Sequence, residues 1–197
     1  IEMEAVLVDA FAKMKATNAK HIHYKVCSTF DSSPTTGSIG KVVDMASTIF
    51  NNQTIPVIGG APHLGRYCSF GNLFARMGIG SNGQIHRLDR HPSMSKHPVT
   101  PMHEADLRLH LSKQTNQEIG LIDILQLEQP IEEWKIDKPV MLVDALYEHQ
   151  LLKIGEWMHS LQKNNQTLFS IGGSSIELAL GKYWNQQELI TPKTDWQ

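Results

Sequence analysis

The sequence repeats one pattern several times: a short apolar stretch, a patch of small or polar residues, then a run with helical spacing. Residues 21–26 lead into a hydroxyl- and glycine-bearing segment at 27–40, and residues 55–58 end in Gly59-Gly60. Residues 139–143 are followed at once by Asp144, and residues 167–171 run into Gly172-Gly173-Ser174-Ser175. Apolar runs this short, bounded by turn residues, fit strands buried on both faces, and helical runs between them fit the crossovers of a parallel sheet. The pattern predicts an α/β protein: a Rossmann-like, open, mainly parallel sheet with helices on both faces. In such sheets ligands sit beyond the carboxyl ends of the strands, where helix N-termini offer unpaired N–H groups to anions. The four strand ends are therefore candidate walls of one site, with Gly172, Gly173 and Ser174 as an anion-binding turn. Tight packing turns and capped connections explain the same residues.

Helical spacing predicts helices over residues 2–18, about 38–50, from Thr100 onward, and 147–162, and a further strand over 119–125. Residues 66–75 and 84–88 flank the turn-rich Gly80-Ser81-Asn82-Gly83 and predict an antiparallel β-hairpin flap, at about 66–92, inserted in the α/β pattern. With 197 residues one sizeable core is expected, in a domain over 1–184 with a poorly ordered tail from Asn185 onward.

The most charged loop follows the flap. His86 to Pro101 packs two arginines, a lysine, an aspartate, three histidines and three prolines between a strand and a helix. Proline fixes the backbone beforehand and lowers the entropy that ordering would cost on binding, so the stretch reads as a rigid anion clamp. A charged surface crossover stiffened by proline is the alternative. Lys25, Arg87 and Arg90 are the candidate anion contacts, and Asp31 and Asp89 the partners for sugar-type hydroxyls or general bases.

Composition narrows the classes. A formal charge of -2 gives no global attraction to nucleic acid or membrane, and the basic loop lacks the interleaved aromatics of a single-strand platform. No apolar run approaches the roughly 20 residues of a spanning helix, and the first residues lack a signal-peptide pattern, so a cytoplasmic location is expected. Two cysteines form no disulfide framework, and the ten histidines include no His-Glu-x-x-His, so no metal site is expected.

Tyr24-Lys25-Val26-Cys27-Ser28-Thr29-Phe30-Asp31-Ser32-Ser33 with Gly37-Ser38-Ile39-Gly40 resembles the Lys-x-Cys-Ser-Thr-Phe-Asp-Ser segment of the four-carbon acid sugar kinase family. Gly59-Gly60-Ala61-Pro62, Gly65-Arg66-Tyr67, His86 to Pro92 and His97 to Met102 look like its subsequent blocks. Gly37-Ser38-Ile39-Gly40 replaces the Gly-Asn-Ile-Gly of the oxo-tetronate kinase branch, which points to a neighbouring branch. The resemblance implies the amino-terminal substrate domain of an ATP- and Mg2+-dependent kinase that phosphorylates a terminal hydroxyl of a four-carbon sugar acid, without the carboxyl-terminal nucleotide domain. Such a chain is expected to be inactive alone and to bind neither cofactor itself. The implied roles are catalysis for Asp31 and substrate binding for Lys25, Ser28, Arg87, Asp89 and Arg90, with a homodimer as the open assembly. Two rivals stand beside it: a sugar-acid binding module without ATP chemistry, and an aldolase- or isomerase-like enzyme using Lys25 as its amine.

Overall fold

The computed structural model describes residues 2–78, 82–162 and 166–191. Five strands, β1 (His21–Lys25), β2 (Ile55–Ile58), β6 (Ile119–Ile122), β7 (Val140–Val143) and β8 (Leu168–Gly172), form one sheet in the order β1-β8-β2-β7-β6. Every pairing in it is parallel. The period-2 pattern sorts each strand onto two cores. Val57, Val140, Leu142, Phe169 and Ile171 face a core shared with helices α1 (Glu2–Ala16), α2 (Ile39–Phe50) and α3 (Leu107–Ser112). Ile58, Met141, Val143 and Leu168 face a second core shared with α4 (Gln150–Ser160) and α5 (Ser175–Gln186). Helices on both faces of an open parallel sheet are thus the observed architecture.

The flap is larger than a hairpin. β3 (Arg66–Ser69), β4 (Asn72–Arg76) and β5 (Ile85–Arg87) make a three-stranded antiparallel sheet. The predicted first strand is broken at Phe70-Gly71, where both residues take positive φ and turn the chain back. Part of the predicted turn at Gly80–Gly83 lies outside the described residues.

Other boundaries move for local reasons. The helix expected from Thr100 begins at Leu107, because Asp106 is its N-cap, accepting from the Arg108 N–H. Thr100 is bound back to His97, and the Met102 N–H to the Met94 carbonyl. The helix expected over 147–162 starts at Gln150, whose side-chain oxygen accepts from the Leu146 and Tyr147 N–H groups and closes a turn first. The strand expected over 119–125 stops at Ile122, since Asp123 caps the Leu125 and Gln126 N–H groups. Nor does the tail begin at Asn185: α5 continues through Gln186, and the Leu189 N–H returns to the Trp184 carbonyl.

Candidate functional site

Register places the four sequence-selected strand ends side by side. Lys25 pairs with Gly172, Gly172 with Ile58, and Ile58 with Val143, so Val26, Gly173, Gly59 and Asp144 leave the sheet as one row. Each was selected because a small or polar residue at a strand end lets another backbone or a ligand approach. The structure shows which of those approaches are already taken.

Asp144 is taken. Its fully buried carboxylate accepts from the Phe70 N–H at 2.5 Å, the Gly71 N–H at 2.9 Å and the Ile124 N–H at 3.2 Å. The Cys68 N–H donates to the next carbonyl, Ala145. Asp144 therefore fastens the flap to the sheet, and burial raises its pKa despite these donors. Gly60 belongs to the same junction, since a Cβ there would run into the Ala145 carbonyl.

The α2 N-terminus is taken as well. Ser38 Oγ accepts from the Lys41 N–H, and Gln114 Oε1 accepts from the Ile39 N–H at 2.9 Å and the Gly40 N–H at 3.3 Å. The Gln114 amide donates to Ser32 Oγ at 3.0 Å and lies 3.2 Å from His110 Nε2, while Ser32 Oγ reaches the Phe30 carbonyl. His110 is buried, and burial holds its pKa below the usual imidazole range. This network clamps the 27–37 loop to α3. It also holds Phe30, a buried aromatic, at φ 55°, a left-handed conformation that a bulky side chain adopts only when its surroundings enforce it.

The α5 N-terminus is open by comparison. Ser174 is its N-cap, yet its side chain makes no capping bond; the hydroxyl lies 2.8 Å from His63 Nε2. Gly173 stands against Ser28, so the Gly172-Gly173-Ser174 turn, Ser28 and His63 form one patch over β1, β8 and β2. His23 supports it from below, with Nε2 at 3.0 Å from the Gly172 carbonyl and Nδ1 at 3.0 Å from Glu177 in the first turn of α5. Lys25 is exposed at the end of β1 and Cys27 is exposed beside it. Asp31 holds one carboxylate oxygen enclosed and without a partner.

The charged loop is folded more tightly than a clamp waiting for its ligand. Arg87 forms a two-point pair with Asp89, Nε–Oδ1 at 2.8 Å and Nη2–Oδ2 at 2.5 Å, which holds the Asp89 carboxyl below its ordinary value. His91 Nδ1 accepts from the Ser93 and Met94 N–H groups, and His97 Nδ1 from Thr100. Two of its three histidines are thus turn caps. Arg90 is exposed and has no ion-pair partner among the described residues. Glu104 is within electrostatic reach of both Arg87 and His110, and Asp31 of His110. His63, Glu104, His110 and Gln114 were not singled out from the sequence. Only the small residues before His63 carried a signal, because the other three act through partners distant in the chain.

A cleft of about 810 Å³ opens at the opposite, amino edge, with Asn51, Thr54, Asp137 and Lys138 in its wall. It contains none of the strand-end residues. The strand-end chemistry marks the candidate site, because the carboxyl edge is where helix N-termini and glycine turns converge. Among the described residues no group of three or more His, Cys, Asp or Glu side chains is arranged to hold a metal ion, and no helix is long and apolar enough to cross a membrane.

Comparison with known proteins agrees with the fold. A 3-oxo-isoapionate kinase of Paraburkholderia graminis is 42% identical over 196 residues, covering 96% of this chain and 40% of that protein. A 3-oxo-tetronate kinase of Methylobacterium radiotolerans is 30% identical over 177 residues, 86% of this chain and 38% of that protein. The chain thus spans about 40% of the length of these relatives. The crystal structure of a Haemophilus influenzae protein superposes with a TM-score of 0.73 at 22% identity, over 91% of this chain and 42% of that one. A domain of unknown function from Bordetella bronchiseptica, a domain-swapped dimer with bound citrate, gives 0.66 at 20% identity, over 91% and 40%. A family model described as "Sugar-binding N-terminal domain" matches residues 1–180, and the chain belongs to that family.

Proposed function

We propose that this chain is the substrate-binding part of an ATP-dependent kinase that phosphorylates a hydroxyl of a small sugar acid. Both kinases compared above are named for 3-oxo acids, and that shared group sets the ligand class, of which a four-carbon oxo-tetronate is a simple member; a tetronate is the corresponding hydroxy acid. One observation carries the placement: of the two strand–turn–helix edges, α2 is capped by Ser38 and Gln114, whereas the Ser174 hydroxyl is drawn to His63 and leaves α5 without a side-chain cap. The substrate carboxylate sits at the Gly172-Gly173-Ser174 turn, where N–H groups and the positive end of the helix favour an anion. Lys25 and Arg90 add charge, and Ser28 and the unpaired Asp31 oxygen take hydroxyls. Arg87 and Asp89 reach the ligand only by exchanging their mutual pair.

Phosphoryl transfer depends mostly on positioning and charge stabilisation. The contribution of this chain is to hold the acceptor hydroxyl still and, through Asp31, to accept its proton. ATP and a divalent metal belong to the remainder of the complete kinase. Among the described residues no three or more His, Cys, Asp or Glu side chains are arranged to hold a metal ion. No nucleic-acid or membrane partner is part of this reading; a homodimer is.

The test is a thermal-shift titration of the chain with tetronates and 3-oxo sugar acids, with and without Mg-ATP. Saturation near 100 times Kd stabilises by about 2.7 kcal/mol, raising Tm by roughly 5–10 °C for a chain of this size. A response to a sugar acid that Mg-ATP leaves unchanged supports the reading. No response to any sugar acid, in a folded sample, refutes it. A sugar-acid response from a full-length protein that never consumes ATP leaves the binding-module reading in its place.

A further inference from the structure

The last turns of α5 pack over the amino end of β1 and the end of α4 beside an open-sided cavity of about 530 Å³ lined by Lys20, His21, His159, Trp184, Leu189 and Ile190, among others. Neither ring nitrogen of His21 has a hydrogen-bond partner, and both are shut off from solvent. The ring stands edge-on to the Trp184 indole, centroids 5.5 Å apart. The indole N–H of Trp184 points at His159 Nδ1 across 3.3 Å, so that nitrogen carries no proton. An imidazolium at position 21 would bury a charge without a partner.

We infer that this contact is an acid-released latch: His21 packs against Trp184 only while its ring is neutral, and protonation of His21 frees the end of α5. The other titratable groups facing the pair are Lys20 ahead of β1 and Tyr183, whose ring is 5.2 Å from that of His159. No carboxylate among the described residues lines the cavity to compensate a charged ring. Burial, and then His159, push the His21 pKa down to about 4.

The released segment is bounded. Gly155 of α4 stands so close to α5 that a Cβ at 155 would collide with the Ala179 carbonyl and crowd the Tyr183 side chain, and this crossing fixes α5 as far as Tyr183. Beyond it, the Gln187 and Leu189 N–H groups return to Tyr183 and Trp184, and the exposed Leu189 and Ile190 bury little apolar surface. What Trp184 loses, the final turns lose with it. The latch lies at the opposite end of α5 from Ser174 and does not depend on what binds there.

Hydrogen exchange at pH 7 and pH 5, corrected for intrinsic rates, tests it. With the pKa moving from about 6.5 in the released ring to about 4 in the latched one, amides 184–189 should lose protection by about 20-fold at pH 5 while α4 residues 151–158 hold theirs. His21→Leu should abolish the acid response and keep protection at pH 7. Equal protection at both pH values, or an unchanged acid response in His21→Leu, overturns the latch. NMR titration of the His21 ring in the unmodified chain decides it even where the variant does not fold: a midpoint near 4 supports the latch, and one near 6.5 overturns it.

Discussion

His63 Nε2 lies 2.8 Å from Ser174 Oγ, joining the turn after β2 to the first turn of α5 across 111 residues of sequence. The bond takes the hydroxyl away from the capping position that an N-terminal serine ordinarily fills. Because Ser174 does not cap α5, Ser174→Ala should leave Tm within about 2 °C, yet weaken sugar-acid binding by roughly 5- to 10-fold through loss of one hydrogen bond. Calorimetric Kd values beside melting curves check both halves. A large fall in Tm with unchanged affinity would make the serine a structural residue.

Gln114 is expected to behave in the opposite way. Gln114→Ala removes the acceptor for two α2 N–H groups and both donors to Ser32 and His110, at a cost of about 2 kcal/mol in urea denaturation. If the anion seat is at α5, sugar-acid affinity in the folded variant stays within twofold of the unmodified chain. A tenfold loss would move the seat toward α2.

Asp144 is predicted to be the most sensitive polar position. Asp144→Ala leaves three flap and loop N–H groups without their acceptor, at roughly 3 kcal/mol or more. The loss should appear as a lower denaturation midpoint, with faster exchange at residues 68–71 than in the strands of the large sheet. A midpoint shift below about 1 kcal/mol would contradict the anchoring role.

Three histidines set the acid limb of stability, His91 being lowered chiefly by burial like the other two. His21 is pushed down to about 4, first by burial, and His110 is lowered first by burial as well. Unfolded imidazoles protonate near 6.5, so the unfolded chain binds more protons below that value. Stability is therefore complete above about pH 6.5 and falls as the pH approaches the folded pKa, with His21 alone contributing on the order of 3 kcal/mol by pH 4. Asp89, held low by Arg87, acts in a separate window, its stabilisation being lost only below its ordinary 3.8. Urea midpoints at pH 7, 5.5 and 4 should fall through the histidine window, and less steeply in His21→Leu.

Much of this was legible in the sequence, and the reason is local. Val57 and Ile58, or Met141 and Leu142, reach opposite cores because strand side chains alternate, so a short apolar run bounded by glycines announces a strand buried on both faces. Ser38 at the start of α2 and the strand ends at Gly59, Asp144 and Gly172 were equally plain, since caps and turns draw on neighbours within a few residues. The Phe70-Gly71 turn was missed: its cause is the Asp144 carboxylate, 73 residues beyond Gly71, rather than anything beside it.

Composition and spacing alone determined the α/β class, the row of strand ends and the charged loop as places where chemistry could gather. Only the tertiary structure decided which groups remain available. It paired Arg87 with Asp89, gave the α2 N-terminus to Gln114, and turned Ser174 toward His63. The physical reason is that hydrogen bonds and ion pairs are short-ranged. Whether a donor or a charge is free to bind depends on what lies within about 3 Å of it, and for those groups the neighbour was as often across the fold as along the chain.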